Sequence, residues 1–294
     1  MNTEIELRDH VFVGPLRRSV NNAINVKGSI HDDATATKLG FRGGTVAGSI
    51  HLELFPPILL KAFGNRWFER GTISMYFLNA TTDREAVRAF VKEPPHDATD
   101  AQVDIWIERD DGMRVAEGTA SVGKPEEPSA LLRRPVDRFE PGDLRILGEL
   151  KVGDKFDECD AFLTKATMTE RMKVITEPMD WYVKPSPWGA SIATPATMVQ
   201  MLYSQSIATL REKLGRAVGL FGAIELRNIN GPVLVEHPYR VGGSIIALGQ
   251  SPKTEYMWFE TALNEKDGKP IAEMRMLLRF MKASSAKYQE AAAN

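Results

Sequence analysis

The feature that most constrains this chain is that it is written twice. The stretch "GGTVAGSIHLELF" in the first half is matched by "GASIATPATMVQML" in the second, with Gly43 on Gly189, Val46 on Ile192 and Ala47 on Ala193. Further on, "IERDDGMRVAEGTASV" is matched by "LNEKDGKPIAEMRMLL", with Asp111-Gly112 on Asp267-Gly268. Two matches in the same order, too far apart for a solenoid repeat, point to a duplicated domain. Each copy has the same layout: a polar segment, a glycine-rich turn into a helix, then strands. Val103, Ile105 and Ile107 alternate before an Asp-Asp-Gly turn. In the second copy Met274, Met276, Leu278 and Phe280 alternate after Asp-Gly. Period-2 patterning across Asp-Gly predicts an antiparallel hairpin in each copy.

The helices are apolar over much of their circumference, through Val46, Ile50, Leu54 and Ile58 in one copy and Met198, Met201, Leu202 and Ile207 in the other. Such helices must be enclosed. The expected architecture is therefore α+β, a central helix wrapped by a curved antiparallel sheet, made twice. Pro56-Pro57 removes two N–H groups and should kink or unwind the first helix. The expected boundaries are an N-terminal domain over 1–124, a linker over 125–143, a C-terminal domain over 144–283 and a tail over 284–294. The segment Gly123–Asp143 carries four prolines and few periodic apolar positions, which suits an extended linker.

Composition narrows the function. A net charge of −2 with 43% hydrophobic and 26% charged residues describes a globular chain with no electrostatic case for nucleic acid or anionic lipid. Lone Cys159 excludes an intrachain disulfide and, without a Cys/His cluster, a structural zinc site. The polar N-terminus and the shortness of "LFPPILLKAFG" give no expected signal peptide or membrane span, and the cytoplasm is the expected compartment. Neither a phosphate-binding nor a dinucleotide glycine motif is present, so no cofactor and no metal are expected.

The stretch "GSIHDDATATKLGFRGGTVAGS" resembles the MaoC-like (R)-specific enoyl-CoA hydratases, through Ile30-His31, Gly40-Phe41, Gly43-Gly44 and Ala47. With the duplication, the resemblance implies a double hotdog fold over nearly the whole chain. It also implies chemistry on an acyl-CoA thioester without a redox cofactor, by a lyase of the hydratase or dehydratase type, possible as a homodimer. Departures are plain. Val26 stands where the family has its catalytic Asp, Gly28-Ser29 where it has Asn-Pro, and Gly48-Ser49 where it has His-Gly. In the second copy the triplet becomes Ala193-Thr194-Pro195 and no histidine precedes it. Proline at the position matched to Ser49 lacks the N–H that the family offers to a thioester oxygen.

On this reading His31 is the general base, assisted by Asp32 or Asp33, with backbone N–H groups of Gly48, Ser49 and Ile50 as oxyanion donors. Asp33 also suits a helix N-cap. Gly44, Gly48, His51, Trp181 and Trp188 are the candidate substrate-binding residues. His51 falls on the apolar face of its helix, as a core histidine or a pocket group, and the two tryptophans line a slot or pack a loop. Two other readings stay open. One is a hotdog thioesterase, or a lyase on another substrate, using His51 or Glu53, the latter otherwise expected in water or paired with a base. The other is a protein that binds an acyl or aromatic ligand without chemistry.

Overall fold

The computed structural model describes residues 4–96, 98–136, 141–208, 210 and 212–289. Short strands β1 (Glu6–Arg8), β2 (Val11–Val13) and β3 (Arg17–Arg18) lead to the one-and-a-half-turn helix α1 (Asp33–Lys38). The first central helix follows in pieces: α2 (Gly48–His51), a 3-10 turn (Leu52–Leu54) and α3 (Pro56–Phe63), then α4 (Arg66–Arg70). The break falls at Pro56-Pro57, where prolines open a new helix because they cannot donate to the old one.

Strands β4 (Gly71–Phe77), β5 (Ala86–Lys92), β6 (Ala101–Arg109) and β7 (Arg114–Val122) wrap this helix. The second half repeats the plan. It runs through β8 (Lys155–Phe162), α5 (Lys165–Met172), an unbroken central helix α6 (Pro195–Ala208), then β9 (Gly219–Asn228), β10 (Pro238–Gln250), β11 (Thr254–Asn264) and β12 (Pro270–Met281). A last helix, α7 (Ala286–Gln289), follows a 3-10 turn. The two expected hairpins are β6–β7 and β11–β12, and Gly112 and Gly268 take the positive φ their turns require, 81° and 90°.

The lobes share one antiparallel sheet in the order β1-β2-β5-β6-β7-β4-β9-β12-β11-β10-β8, with β3 beside β5. The seam is β4 against β9, from Thr72 opposite Arg227 to Tyr76 opposite Ala223. At its midpoint Ser74 faces Glu225, and its hydroxyl donates to Glu225 Oε2 at 2.7 Å. The inner face of the sheet and the two helices enclose one continuous apolar core, with Phe55, Ile58, Ile105, Phe259 and Met276 inside it.

The connecting segment departs from its sequence reading. It is stitched across the seam: Leu131 is fully buried beside Trp258, Ala223 and Leu277, and its N–H donates to Ser74 Oγ at 3.0 Å. Burying one leucine contributes about 1.5–3 kcal/mol, enough to pin a polar segment that periodicity alone reads as free. Residues 137–140 of the linker and 290–294 of the tail lie outside the described residues.

The backbone also corrects the alignment of the copies. Val46 N–H donates to Thr81 O at 2.9 Å, and Ala193 N–H makes the corresponding bond to Val233 O at 2.8 Å. Isolated bridges pair Thr45 with Thr82 and Ile192 with Leu234. Val46 therefore corresponds to Ala193, one residue off the sequence match, and the helices start at Gly48 and Pro195. By the same logic Thr45 N–H to Ile30 O corresponds to Ile192 N–H to Trp181 O. Tyr182 thus stands in the second lobe where His31 stands in the first.

Candidate active site

His31 is held from three sides. Its N–H donates to Ser29 Oγ at 3.2 Å, its carbonyl accepts from Asn21 Nδ2 at 2.8 Å, and its Nδ1 lies 2.7 Å from the carbonyl of Thr45. A carbonyl only accepts, so Nδ1 carries the hydrogen and Nε2 is left with the lone pair of a base. Gly44 makes this placement possible, since a Cβ there would stand 2.2 Å from His31 O. Gly44 is therefore a positioning residue behind the histidine, and its N–H donates to Asp33 Oδ1 at 2.6 Å. Gly44 itself is not among the residues that line the cavity.

The aspartates turn out to be fasteners. Asp32, not Asp33, occupies the N-cap position of α1. Its Oδ2 accepts from the Thr35 hydroxyl at 2.6 Å and from Gly28 N–H at 3.3 Å. The Thr35 bond first, then that of Gly28, hold its carboxyl below the usual range. Asp33 is the first helical residue and ties the glycine turn. Neither is among the residues that line the cavity with His31. Val26, where the resemblance would put a carboxylate, is 56% exposed.

That cavity, about 160 Å³, is walled by His31, Gly48, His51, Phe77 and Thr81 of the first lobe and by residues of β9 and β12 from the second. Among its described lining residues there is no carboxylate. His51 is both things the sequence left open, buried to 2% exposure and part of the cavity wall. Its Nε2 is hydrogen-bonded to Thr81 Oγ1 at 2.8 Å while Nδ1 has no partner among the described residues. Burial pushes its pKa down to about 4, so it is a neutral wall group at neutral pH.

At the start of α2, Ile50 N–H already donates to Ala47 O at 2.9 Å and is removed from the expected oxyanion donors. The N–H groups of Gly48 and Ser49 have no partner among the described residues, as the first turn of a helix dictates. Only Gly48 lines the cavity; the Ser49 side chain is buried away from it. With α2 only four residues long, these donors act as local N–H groups and not through a long helix dipole.

The corresponding place in the second lobe is closed. Pro195 has no N–H, and Thr197 N–H donates to Thr194 Oγ1 at 3.2 Å while Thr194 N–H donates back to Thr197 Oγ1 at 2.9 Å. The remaining donor, Ala196 N–H, is the true counterpart of Ser49. It is present, correcting the expected loss to proline, and it is taken at 2.8 Å by Glu53 Oε1 from the first lobe. Glu53 is fully buried, not in water as expected, and burial outweighs its bonds to raise its pKa to about 7. Its Oε2 and the hydroxyl of buried Tyr182 lack partners among the described residues, and burial first, then the nearby Glu53 carboxyl, drives the Tyr182 pKa well up.

The tryptophans fill space between the lobes. Phe68 sits 5.5 Å from Trp181 and 5.8 Å from Trp188, ring centre to ring centre, and Trp188 Nε1 donates to Glu69 Oε1 at 3.1 Å. Neither lines the first-lobe cavity, and both pack against Phe68, the loop-packing alternative of the two that the sequence left open. Spacing could not reveal this, because the partner aromatic lies more than a domain's half-length away in sequence.

No protein-family model matches the chain, and no characterised protein matches its sequence. Solved structures do match. A MaoC domain protein of Chloroflexus aurantiacus, described as a dehydratase, superposes with a TM-score of 0.63 at 12% identity, covering 92% of this chain and 94% of its own. A double-hotdog protein of Mycobacterium tuberculosis, essential for survival during infection, gives 0.56 at 11% identity over 90% and 94%. The fold is a MaoC-like double hotdog. A MaoC-like dehydratase matches too, with a TM-score of 0.55 at 15% identity over 93% and 98% of the chains. At these identities the likeness concerns the fold. Among the described residues of this double hotdog, no helix is long and apolar enough to cross a membrane.

Proposed function

We propose that this double hotdog protein is an acyl-thioester hydratase or dehydratase whose working site is the first-lobe cavity. The observation that carries the reading is His31: it lines the cavity, and its bond to the Thr45 carbonyl leaves Nε2 as the nitrogen free for proton transfer. In the hydration direction Nε2 takes a proton from water as the oxygen adds to the β-carbon of an enoyl thioester. The electron pair moves to the thioester oxygen, held by the Gly48 N–H on the cavity wall. The protonated imidazole then returns the proton to the α-carbon. Dehydration runs these steps backward.

The test is to incubate the protein with a short enoyl-CoA and follow both the conjugated double bond and free thiol. Loss of conjugation with the thioester intact supports the reading. Release of thiol indicates a thioesterase, for which Glu53, sealed on Ala196 outside the cavity, offers no attacking group. A second reading, ligand binding without chemistry, is favoured by the lack of a carboxylate among the described residues lining the cavity. Tight binding with no turnover selects it.

A further inference from the structure

The cavity holds a charge that neither the hydratase chemistry nor the first lobe explains. Of its described lining residues only Arg279, on β12 of the second lobe, is permanently charged; the other ionisable ones are His31 and His51. Other arginines near it on the sheet are neutralised. Arg275 donates to Glu260 at 2.7 Å, and Arg227 to Glu273 at 2.9 Å. In the cross-strand position where Arg275 has Glu260, Arg279 has Tyr256. The Arg279 guanidinium donates to the hydroxyl of Tyr76, a neutral acceptor, and no carboxylate pairs with it among the described residues.

Two features hold it there. Gly222 gives it room, since a Cβ at that position would stand 2.7 Å from Arg279 Nε. The Tyr76 ring carries a second cation on its face, the Arg134 guanidinium at 3.9 Å from the ring centre. A guanidinium has five N–H donors in a planar fork, and one hydroxyl engages only one of them. A half-buried cation beside a second cation, with donors to spare and facing a cavity, is arranged to meet an anion.

We propose that Arg279 is the anion-recognising residue of this cavity and that the substrate presents an oxyanion to it. This rests on the thioester reading above. The oxyanion belongs either to a carboxylate on the acyl group or to a phosphate of the carrier. In either case the second lobe, whose own helix start is closed, completes the first-lobe cavity and sets its specificity.

The test is binding, which needs no turnover. Butyryl and succinyl thioesters, saturated and unreactive toward hydration, are titrated as CoA conjugates and as phosphate-free N-acetylcysteamine conjugates. The proteins are the unsubstituted chain, Arg279→Met and Arg279→Lys, with melting temperatures compared first. Losing a charge-assisted pair predicts roughly 10- to 100-fold weaker binding of the anionic ligand by Arg279→Met, with partial recovery in Arg279→Lys. If the acyl carboxylate is the partner, the loss appears for succinyl- but not butyryl-N-acetylcysteamine. If the carrier phosphate is the partner, it appears for butyryl-CoA and vanishes without phosphate. Affinities for all four ligands that Arg279→Met leaves unchanged, or an equal loss for neutral butyryl-N-acetylcysteamine, overturn the inference and leave the thioester reading standing. Failure of the unmodified protein to bind any of the four overturns both.

Discussion

The two lobes start their central helices in the same frame and finish them differently. In the first, the Gly48 and Ser49 N–H groups have no partner among the described residues, Gly48 lines a cavity, and His31 presents an uncommitted nitrogen to it. In the second, every donor of the first turn is absent or answered from within the chain, and Tyr182 fills the place of the histidine. The difference teaches how duplication permits specialisation. A helix start that must hold a ligand leaves polar groups unsatisfied in the free protein. A helix start relieved of that duty can satisfy all of them and join the lobes. Glu53 makes the trade visible, because it crosses from the first lobe to close the second.

The sharpest way to break the comparison is to exchange the chemistry of its two central side chains. His31→Ala should lower enoyl-thioester hydration by about 10²–10⁴-fold, the usual size of a lost general base. Tyr182→Phe should leave turnover unchanged within a factor of about two, since it removes an unpartnered hydroxyl. Steady-state kinetics on folded variants checks both, and equal losses would erase the distinction between the lobes.

Glu53→Gln sharpens the comparison through stability. The folded carboxyl keeps its proton up to about 7 whereas the ordinary value is 4.5, so the folded state binds more protons across that window. Stability contributed by this group is therefore present at low pH and lost as pH rises to about 7, by about 3 kcal/mol. His51 acts with the opposite sign. Its ring stays neutral in the fold down to about 4 against an ordinary 6.5, so stability is lost as pH falls through that window. The two slopes oppose each other over the shared range. Urea unfolding of Glu53→Gln should show stability rising with pH between about 4 and 6.5. It should also show a gain of up to about 3 kcal/mol at pH 8 with none at pH 4.5. A loss at pH 8 would mean that the charged carboxylate stabilises the second lobe.

Gly44→Ala presses a methyl toward His31 O and should cost about 1–3 kcal/mol along with most of the activity, measured by melting and kinetics together. Gly43→Ala is its control, since a Cβ there meets Asp33 Oδ1 at 3.2 Å and not the histidine backbone. The smallest effect belongs to the closed side. Trp188→Phe loses the bond to Glu69 and should destabilise by about 1 kcal/mol without changing KM, which a residue of a substrate slot could not do.

The architecture was legible in the sequence to the extent that it is local. Alternation and Asp-Gly turns announce both hairpins, and Pro56-Pro57 announces the broken helix, because these signals act on neighbouring residues. The pattern around His31 singled it out, and the fold sets it on the wall of the first-lobe cavity. What stayed hidden depends on contacts across the chain. The one-residue shift at the helix starts is fixed by backbone bonds to Thr81 and Val233, which no side chain advertises. Glu53 looks like a surface glutamate until Ala196 is folded beside it. Leu131 sits in a proline-rich stretch whose partners are on strands of the other lobe. Arg279 reads as one more outward arginine of an alternating strand until the cavity is closed by the first lobe.

The most direct measurement is a crystal structure with a saturated, unreactive acyl-CoA. The ligand should enter the first-lobe cavity alone, with its thioester oxygen within hydrogen-bond distance of Gly48 or Ser49 N–H and its β-carbon beside His31 Nε2, while Glu53 stays on Ala196. Ligand density between Tyr182 and Ala196, with the Glu53 carboxyl displaced and the His31 cavity empty, would contradict the account.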